Sequence, residues 1–278
     1  MKVGISACSN GHPKEWQPQI EKLVQELRAF GVEAVLAGHV LAETDEFSGS
    51  DQERADDLMR LYRDDSIKAI YDISGGDLAN GVLDHLDYEL IGRSKKEFWG
   101  YSDLTTVINA IYAMTGRPSV LYQVKNMVYR DGELQKERFR RYLAGDREAL
   151  FGFGYEFLQG SRMEGVVLGG NIRCFTKLAG TRYWPDLAGK ILLFESYGGE
   201  SGQIATLLTQ LEQIGVFEQV SGVLLGTFTN YEKANLKLSV YDLLKMHIDE
   251  RLPVAMTREI GHGTDARAIE IGRRMRFE

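Results

Sequence analysis

Cysteine is scarce in this sequence, which has only Cys8 and Cys174 among 278 residues. Two distant thiols are too few for a disulfide framework, and they lack the paired spacing of a zinc site. No pair of histidines falls at ligand spacing either. The shortage excludes a disulfide scaffold, gives no support to a metal centre and fits a reducing compartment.

Long apolar runs are missing as well. Nowhere do about 18 apolar residues follow one another, so no transmembrane helix is expected. The N-terminal stretch MKVGISACSNG has one lysine and turns polar early, so it is interpreted as a first strand and not as a signal peptide. These features predict a cytoplasmic protein without a membrane partner.

Basic charge is in deficit, because 33 Lys and Arg against 40 Asp and Glu give a formal net charge of -7. Nucleic-acid binders need basic surface to neutralise phosphates, so no nucleic-acid partner is predicted. No Gly-x-x-x-x-Gly-Lys phosphate loop occurs, and Gly152-Phe-Gly154 lacks the strand and helix that flank a dinucleotide turn. A small cationic or zwitterionic ligand remains compatible with this balance.

The first 123 residues alternate short apolar runs with segments of helical period. Three of these segments place apolar residues at i, i+3, i+4 and i+7, which is typical of amphipathic helices. The alternation predicts an α/β fold with a mostly parallel sheet flanked by helices, whose functional groups gather at the carboxyl ends of the strands. The predicted strands lie at 3–7, 33–37, 69–73, 97–101 and 119–123.

A second alternation predicts a second α/β domain, with an active site in the cleft between the two. Its strands are predicted at 164–170, 190–196 and 221–228, followed by PVAMT, a GHGT turn and a short AIEIG strand. Residues 124–163 are charged and without strong period, so they are interpreted as the connection, with basic residues on a solvated surface. The predicted division is a nucleophile-bearing domain at 1–123, a connection at 124–163 and a domain at 164–278.

Ser102 follows the predicted strand at 97–101 and precedes a helical pattern in EFWGYSDLTTVINAIYA. A strand-to-helix turn lifts a side chain off the sheet, while N–H groups at the helix start can stabilise a developing oxyanion. This geometry suits a serine nucleophile in acyl transfer. Alternatively, Ser102 or Asp103 is only the N-cap of the helix, a position that both residue types favour.

A serine hydroxyl needs a base, and histidine is the usual one because its ordinary pKa is about 6.5. His262 stands between glycines in IGHGT, where small neighbours allow close approach of a substrate, although a plain turn uses the same glycines. Solvent exposure or a surface role is expected for the other histidines, His12, His39, His85 and His247.

A carboxylate is needed to orient such a base. Glu195 ends the apolar run KILLF and is therefore expected at the carboxyl edge of a strand. A helix cap or an arginine partner would explain it equally. Cys8 is a second imaginable nucleophile, but a buried thiol is the favoured interpretation.

Four separated blocks carry a more specific signal, in the order serine, glutamate, histidine. They are SGGDLANGVLDHLDYELIGRSKKEFWGYSDLTTVINAIYAMTG, VVLGGNIRCFTKLAGT, GKILLFESYGGE, and IGHG followed by IEIG. Together they span nearly the whole chain, and they resemble the LD-carboxypeptidases, a serine peptidase family that includes muramoyltetrapeptide carboxypeptidases and microcin C immunity peptidases.

The resemblance implies a role for each candidate residue. Ser102 is expected to be the nucleophile, His262 the general base and later acid, and Glu195 the residue that orients His262. An oxyanion hole is expected from the backbone N–H groups of Asp103 and Gly76.

The resemblance also implies the reaction: hydrolysis of an L,D peptide bond that releases a C-terminal D-amino acid, as from murein tetrapeptides in cell-wall recycling. No cofactor is required, and a homodimer is implied that the residues themselves do not indicate. Arg173 is a candidate for binding the substrate carboxylate, with a plain surface role as its alternative.

Two departures affect the substrate. Many relatives have an arginine before the paired glycines and another glycine soon after, whereas this chain has Ser74 before them and Asp77 after. The aromatic-bearing recognition loop of microcin C peptidases has no clear counterpart between Leu168 and Leu192, although Tyr183 and Trp184 stand nearby.

Two other functions stay open at this point. One is a microcin C-type peptidase that cleaves a peptide-nucleotide antibiotic or an aminoacyl-adenylate. The other is a two-domain small-molecule binding protein that performs no chemistry.

Overall fold

A computed structural model describes residues 1–278, in which the strands form two six-stranded sheets. The strands are β1 Lys2–Ser6, β2 Glu33–Leu36, β3 Ile67–Asp72, β4 Glu97–Gly100, β5 Ser119–Leu121, β6 Glu156–Gln159, β7 Met163–Asn171, β8 Ile191–Ser196, β9 Gly222–Phe228, β10 Val254–Met256, β11 Ile269–Ile271 and β12 Arg274–Phe277. The α-helices are α1 Gln17–Ala29, α2 Asp51–Arg63, α3 Tyr88–Arg93, α4 Thr105–Thr115, α5 Gly132–Leu143, α6 Glu148–Phe151, α7 Ile172–Thr176, α8 Ser201–Gln213, α9 Thr229–Lys233 and α10 Val240–Leu244. Four 3-10 helices span Lys14–Trp16, Ala79–His85, Ser102–Leu104 and Val124–Val128.

The first sheet has the strand order β11-β5-β4-β3-β1-β2. Strands β1 to β5 run parallel, and only β11 is antiparallel to its neighbour. All five strands predicted in the first 123 residues are present. Strands β1, β3, β4 and β5 are mostly buried apolar runs, whereas β2 lies at the edge of the sheet and is partly exposed. The predicted α/β class with a mostly parallel sheet is confirmed.

The second sheet has the order β12-β7-β8-β9-β10-β6, with β7 to β10 parallel and an antiparallel strand at each edge. Helix α8 connects β8 to β9 and buries Ile204, Leu208 and Leu211. The two edge strands were not expected from the sequence, because both are short and half exposed. Their pairing depends on the neighbouring strand, not on their own composition.

The segment 124–163 is more ordered than its charge suggests. It forms helix α5, which buries Gln135 and Phe139 and exposes its charged face. The Phe139 ring lies 6.1 Å from Tyr71 and 6.3 Å from Trp99, both in strands of the first sheet. Helix α5 is therefore packed against the first sheet, and its helical period is hard to recognise because few of its residues are buried among many charges.

The AIEIG strand lies elsewhere than its position in the sequence suggests. The second alternation groups it with the second domain, but β11 pairs antiparallel with β5 in the first sheet, with Ile269 opposite Leu121. The next strand, β12, returns to the second sheet beside β7. Near its end the chain therefore crosses to the first sheet for one strand and then returns to the second. One cluster of 73 buried residues spans both sheets.

None of the helices combines the length and apolar character needed to cross a lipid bilayer.

The ring of Phe139 is fully buried, so its removal should leave a cavity between α5 and the first sheet. We expect Phe139→Ala to lower the free energy of unfolding by about 3 to 5 kcal/mol, measured by urea denaturation. Leu134→Ala on the same helix is the matched control, since that side chain is 44% exposed and should change little. Equal losses in the two variants would contradict the packing described.

Candidate active site

The candidate catalytic residues converge at the carboxyl ends of parallel strands. Ser102 follows β4, and the Gly75-Gly76 turn follows the neighbouring β3. Glu195 lies one residue before the end of β8, and His262 lies in the loop after β10. Both sheets therefore contribute, and the cleft predicted between them contains the site.

Ser102 adopts a left-handed backbone conformation with φ of 53°, which is uncommon for a residue with a side chain. The conformation turns the hydroxyl away from the helix that follows and toward the imidazole of His262. Ser102 Oγ lies 3.1 Å from His262 Nε2. Strain of this kind is typical of a nucleophile on a sharp strand-to-helix turn.

The other imidazole nitrogen faces Glu195, with 2.5 Å between His262 Nδ1 and Glu195 Oε2. Since a carboxylate only accepts, Nδ1–H donates to Glu195, and Nε2 is left to accept from the Ser102 hydroxyl. Glu195 is fully buried, and its Oε1 atom has no hydrogen-bond partner. The rings of Tyr101 and Tyr197 lie 4.5 and 5.4 Å from the imidazole and restrict its rotation.

Neither Ser102 nor Asp103 serves as a side-chain cap. Helix α4 begins after Leu104, which makes no side-chain capping bond, and the 3-10 turn before it has none either. The buried Asp103 carboxylate instead accepts from Ser9 Oγ at 2.7 Å and from the Ala79 N–H at 2.8 Å. The other carboxylate oxygen of Asp103 lies 2.6 Å from Nζ of Lys177. Lys177 directly follows helix α7, in the second half of the chain.

The Gly75-Gly76 turn is held against the loop after β1. Gly76 has φ of 124°, and a Cβ there would lie 2.2 Å from Asn10 Cγ, so only glycine fits. Asn10 accepts from the Asp77 N–H at 2.8 Å and donates its own N–H to Gly75 O at 3.2 Å. The Gly76 N–H makes no hydrogen bond within the protein, so it is free to donate to a ligand.

A cavity of about 980 Å³ opens above these residues. Arg173 lies on its wall, where the guanidinium pairs with Asp77 and donates to Gly76 O at 3.2 Å. Half of the Arg173 side chain is exposed, and the Arg173 bond is the main reason that the pKa of Asp77 lies below its ordinary value. Arg173 is thus the only arginine or lysine among the lining residues.

The two aromatic residues near the expected recognition loop do not line this cavity. Tyr183 is buried, and its hydroxyl donates to Asp84 Oδ1 at 2.6 Å. Trp184 packs on Phe175 with 4.7 Å between the ring centroids. Tyr129 and Tyr197 are the aromatic side chains that face the cavity together with Tyr101.

The expectation of an exposed or surface role is wrong for His12. Its side chain is buried, its Nε2–H donates to Ile73 O at 2.9 Å, and its ring stacks on Trp16 with 5.4 Å between centroids. Burial, and then the nearby Lys125 charge, lower the pKa of His12 to about 4. Sequence context missed this because the loop becomes buried only when it folds over the first sheet.

Both cysteines are buried, and burial raises the pKa of each thiol, so neither favours the thiolate form that a nucleophile requires. No group of three or more His, Cys, Asp or Glu side chains is arranged to share a metal ion.

Sequence reasoning missed several residues that shape the site. Lys177 holds the Asp103 carboxylate, Asn10 holds the Gly76 turn, and Tyr197 flanks His262. Only Tyr197 had a usable signal, because it follows Glu195 closely at the end of a strand. The other two act on partners distant in sequence, which spacing does not reveal.

Two models of one known family match most of this chain. The model of the LD-carboxypeptidase N-terminal domain matches residues 3–122, and that of the LD-carboxypeptidase C-terminal domain matches residues 164–277. The chain belongs to the LD-carboxypeptidase family. The resemblance noted in the sequence is thereby confirmed.

Individual relatives cover most of this LD-carboxypeptidase. A protein of Bacillus subtilis named "Probable murein peptide carboxypeptidase" is 28% identical over 254 residues, which are 88% of this chain and 80% of that protein. The "Murein tetrapeptide carboxypeptidase" of Pseudomonas aeruginosa is 26% identical over 269 residues, which are 91% of this chain and 86% of that protein. Among solved structures, the microcin C7 self-immunity protein MccF without ligand shares the fold, with a TM-score of 0.88 at 22% identity over 99% of this chain and 92% of that one.

The buried His12 should make this LD-carboxypeptidase sensitive to mild acid. Its pKa falls from 6.5 to about 4 on folding, so as the pH drops the unfolded chain takes up the proton first and stability is lost between those values. The loss attributable to this residue is about 3 kcal/mol. His12→Gln keeps a donor for Ile73 O but does not titrate.

The free energy of unfolding should therefore fall less steeply from pH 6.5 to pH 4 in His12→Gln than in the original chain, measured by urea denaturation at each pH. Parallel pH profiles for the two proteins would contradict the buried, neutral state of His12. His85→Gln, at a histidine outside the site, is the control.

Proposed function

We propose that this chain is a serine carboxypeptidase that hydrolyses an L,D peptide bond and releases a C-terminal D-amino acid. The observation that supports it best is the continuous chain of contacts from Ser102 Oγ through His262 to Glu195, at the base of a cavity large enough for a short peptide. Peptidase activity follows from family membership, and the three residue roles are part of the proposal.

Acylation begins when Ser102 Oγ attacks the carbonyl carbon of the L-configured residue, and His262 Nε2 takes the hydroxyl proton. The carbonyl oxygen becomes an oxyanion. Breakage of the C–N bond then expels the D-amino acid, whose amine receives the proton from Nε2. An ester of Ser102 remains.

Deacylation repeats these steps with water. His262 Nε2 takes a proton from the water, whose oxygen attacks the ester carbon, and the C–O bond to Ser102 breaks as Oγ recovers the proton. Glu195 keeps Nδ1 protonated throughout and stabilises the imidazolium. Because Glu195 is fully buried, its charge acts on the imidazole with little screening by solvent.

The Gly76 and Asp103 N–H groups form the oxyanion hole in this proposal. The free Gly76 N–H supports this role, as does the rigid hold on both segments from Asn10 and from the Asp103 carboxylate. Preorganised donors stabilise an oxyanion because they need no reorientation as charge develops.

Arg173 is proposed to bind the terminal carboxylate of the substrate. In the free protein its guanidinium is satisfied by Asp77, whose own side chain is 61% exposed and can turn to solvent. A bidentate carboxylate is a suitable replacement partner. No cofactor takes part; a cytoplasmic location remains a prediction from the composition, and a homodimer remains one from the family.

Murein tetrapeptides are the proposed substrates, since they end in a D-amino acid and relatives across most of the chain are named for murein peptides. A microcin-type substrate is the second candidate, because the fold matches MccF closely. The absence of Tyr183 and Trp184 from the cavity wall favours the peptide, because these are the two aromatic residues that stand near the expected position of the microcin-type recognition loop.

Removal of either reacting group should abolish turnover. We expect Ser102→Ala and His262→Ala to lower kcat for release of D-alanine from a murein tetrapeptide by about 10⁴- to 10⁶-fold, measured by mass spectrometry, with little change in Tm. Glu195→Gln should lower it about 10⁴-fold, because the tautomer of His262 is no longer fixed. Ser201→Ala, at a serine on α8, is the control.

A fluorophosphonate probe separates the enzyme from a binding protein without chemistry. The probe should label the original chain and should not label Ser102→Ala. Equal labelling of the two proteins would refute the proposal. Faster hydrolysis of an aminoacyl-adenylate analogue than of the tetrapeptide would replace the murein substrate with the microcin-type one.

The proposed carboxylate site predicts a selective effect on substrate binding. Arg173→Ala should raise KM for the tetrapeptide about 10- to 100-fold, because a charge-assisted hydrogen bond is lost, with a smaller effect on kcat. Arg182→Ala is the matched control, since Arg182 also pairs with an aspartate, Asp84, but lies outside the cavity. An unchanged KM in Arg173→Ala would remove Arg173 from the substrate site.

A further inference from the structure

The loop that carries His262 is bound by a helix from the connecting segment. Gln135 on α5 donates from Nε2 to the carbonyl oxygens of Thr264 and Ala266, both at 2.8 Å. These carbonyls lie two and four residues after His262. One amide group thus fixes the backbone of the loop on the C-terminal side of His262.

The amide of Gln135 is itself fixed. Its Oε1 accepts from the Tyr122 hydroxyl at 2.9 Å, and both side chains are buried. Tyr122 directly follows β5, the neighbour of β4 in the first sheet. A buried amide whose hydrogen bonds are all satisfied has one orientation. The position of the loop is therefore fixed relative to the first sheet, from which Ser102 projects.

Two further contacts join the same helix region to the same loop. Asp131, next to the start of α5, accepts from the Thr264 hydroxyl, and this bond is the main reason that its pKa lies below the ordinary value. Arg138 donates to Asp265 O at 2.6 Å. The clamp, meaning Asp131, Gln135 and Arg138 together, therefore contacts three of the four residues that follow Gly263.

We propose that Gln135 is a positioning residue that sets the distance between His262 Nε2 and Ser102 Oγ by holding the histidine loop against the first sheet. The proposal rests on the proposed function, because it assigns a task to Gln135 only if His262 is the base for Ser102. Gln135 does not touch the substrate or the reacting atoms.

The need for such a clamp follows from the topology. The loop leaves β10 in the second sheet, and Glu195 on β8 of that sheet holds Nδ1, whereas the nucleophile belongs to the first sheet. Without the clamp, the chain after His262 would join the first sheet only at β11, which begins at Ile269. A misplacement of about 1 Å can lower a rate about 100-fold.

Gln135→Leu removes all three bonds while keeping much of the volume. We expect kcat for D-alanine release to fall about 10- to 100-fold with KM nearly unchanged, and the rate of fluorophosphonate labelling of Ser102 to fall in proportion. The matched control is Gln159→Leu, because Gln159 Nε2 donates in the same way to Asp249 O and Leu252 O, away from the site. Its kcat should stay near that of the original chain.

Milder variants keep the test valid if Gln135→Leu folds poorly. Asp131→Ala alters a partly exposed residue, and Tyr122→Phe removes only the hydroxyl that orients the amide; each should lower kcat by a smaller factor with Tm nearly unchanged. The proton of His262 Nδ1 offers a spectroscopic signature: its downfield NMR signal should shift or broaden in Gln135→Leu and stay in place in Gln159→Leu.

A kcat and a His262 proton signal in Gln135→Leu equal to those of Gln159→Leu would overturn the clamp while leaving the peptidase proposal intact. Activity of the original chain that survives Ser102→Ala or His262→Ala would instead overturn the proposed function, and the clamp with it.

Discussion

The contact on which the site depends is that of one imidazole with side chains from two different sheets. His262 accepts from Ser102, which the first sheet positions, and donates to Glu195, which the second sheet positions. Hydrogen bonds tolerate only a few tenths of an ångström of displacement, so the two sheets must be held in one arrangement. Much of the remaining architecture supplies that rigidity.

Several features of the fold join the two sheets. Strand β11 returns to the first sheet directly after the histidine loop, and one continuous core lies beneath both sheets. Lys177 in the second half of the chain is paired with the buried Asp103, the residue next to Ser102. Breaking a buried ion pair leaves an uncompensated charge, so this contact favours a single arrangement of the two halves.

The segment 124–163, between the two halves, has a structural role that its composition does not indicate. Its charges face solvent, whereas Phe139 packs on the first sheet and Gln135 reaches the loop of His262. Local sequence favours a solvated connection because most of its residues are indeed exposed. A few buried side chains, each with a partner far away in sequence, determine where the helix lies.

The sequence by itself determined the α/β class, the strands of both sheets other than β6 and β12, and the family, because apolar strand patterns, amphipathic helices and glycine-flanked motifs are local patterns. It also singled out Ser102, Glu195 and His262 as candidates. Only the tertiary structure decided that these three meet, that β11 joins the first sheet, that His12 is buried, and that Gln135, Asn10 and Lys177 support the site. Each of those facts depends on groups 61 to 160 residues apart or on burial by a distant segment, and no local pattern encodes such distances.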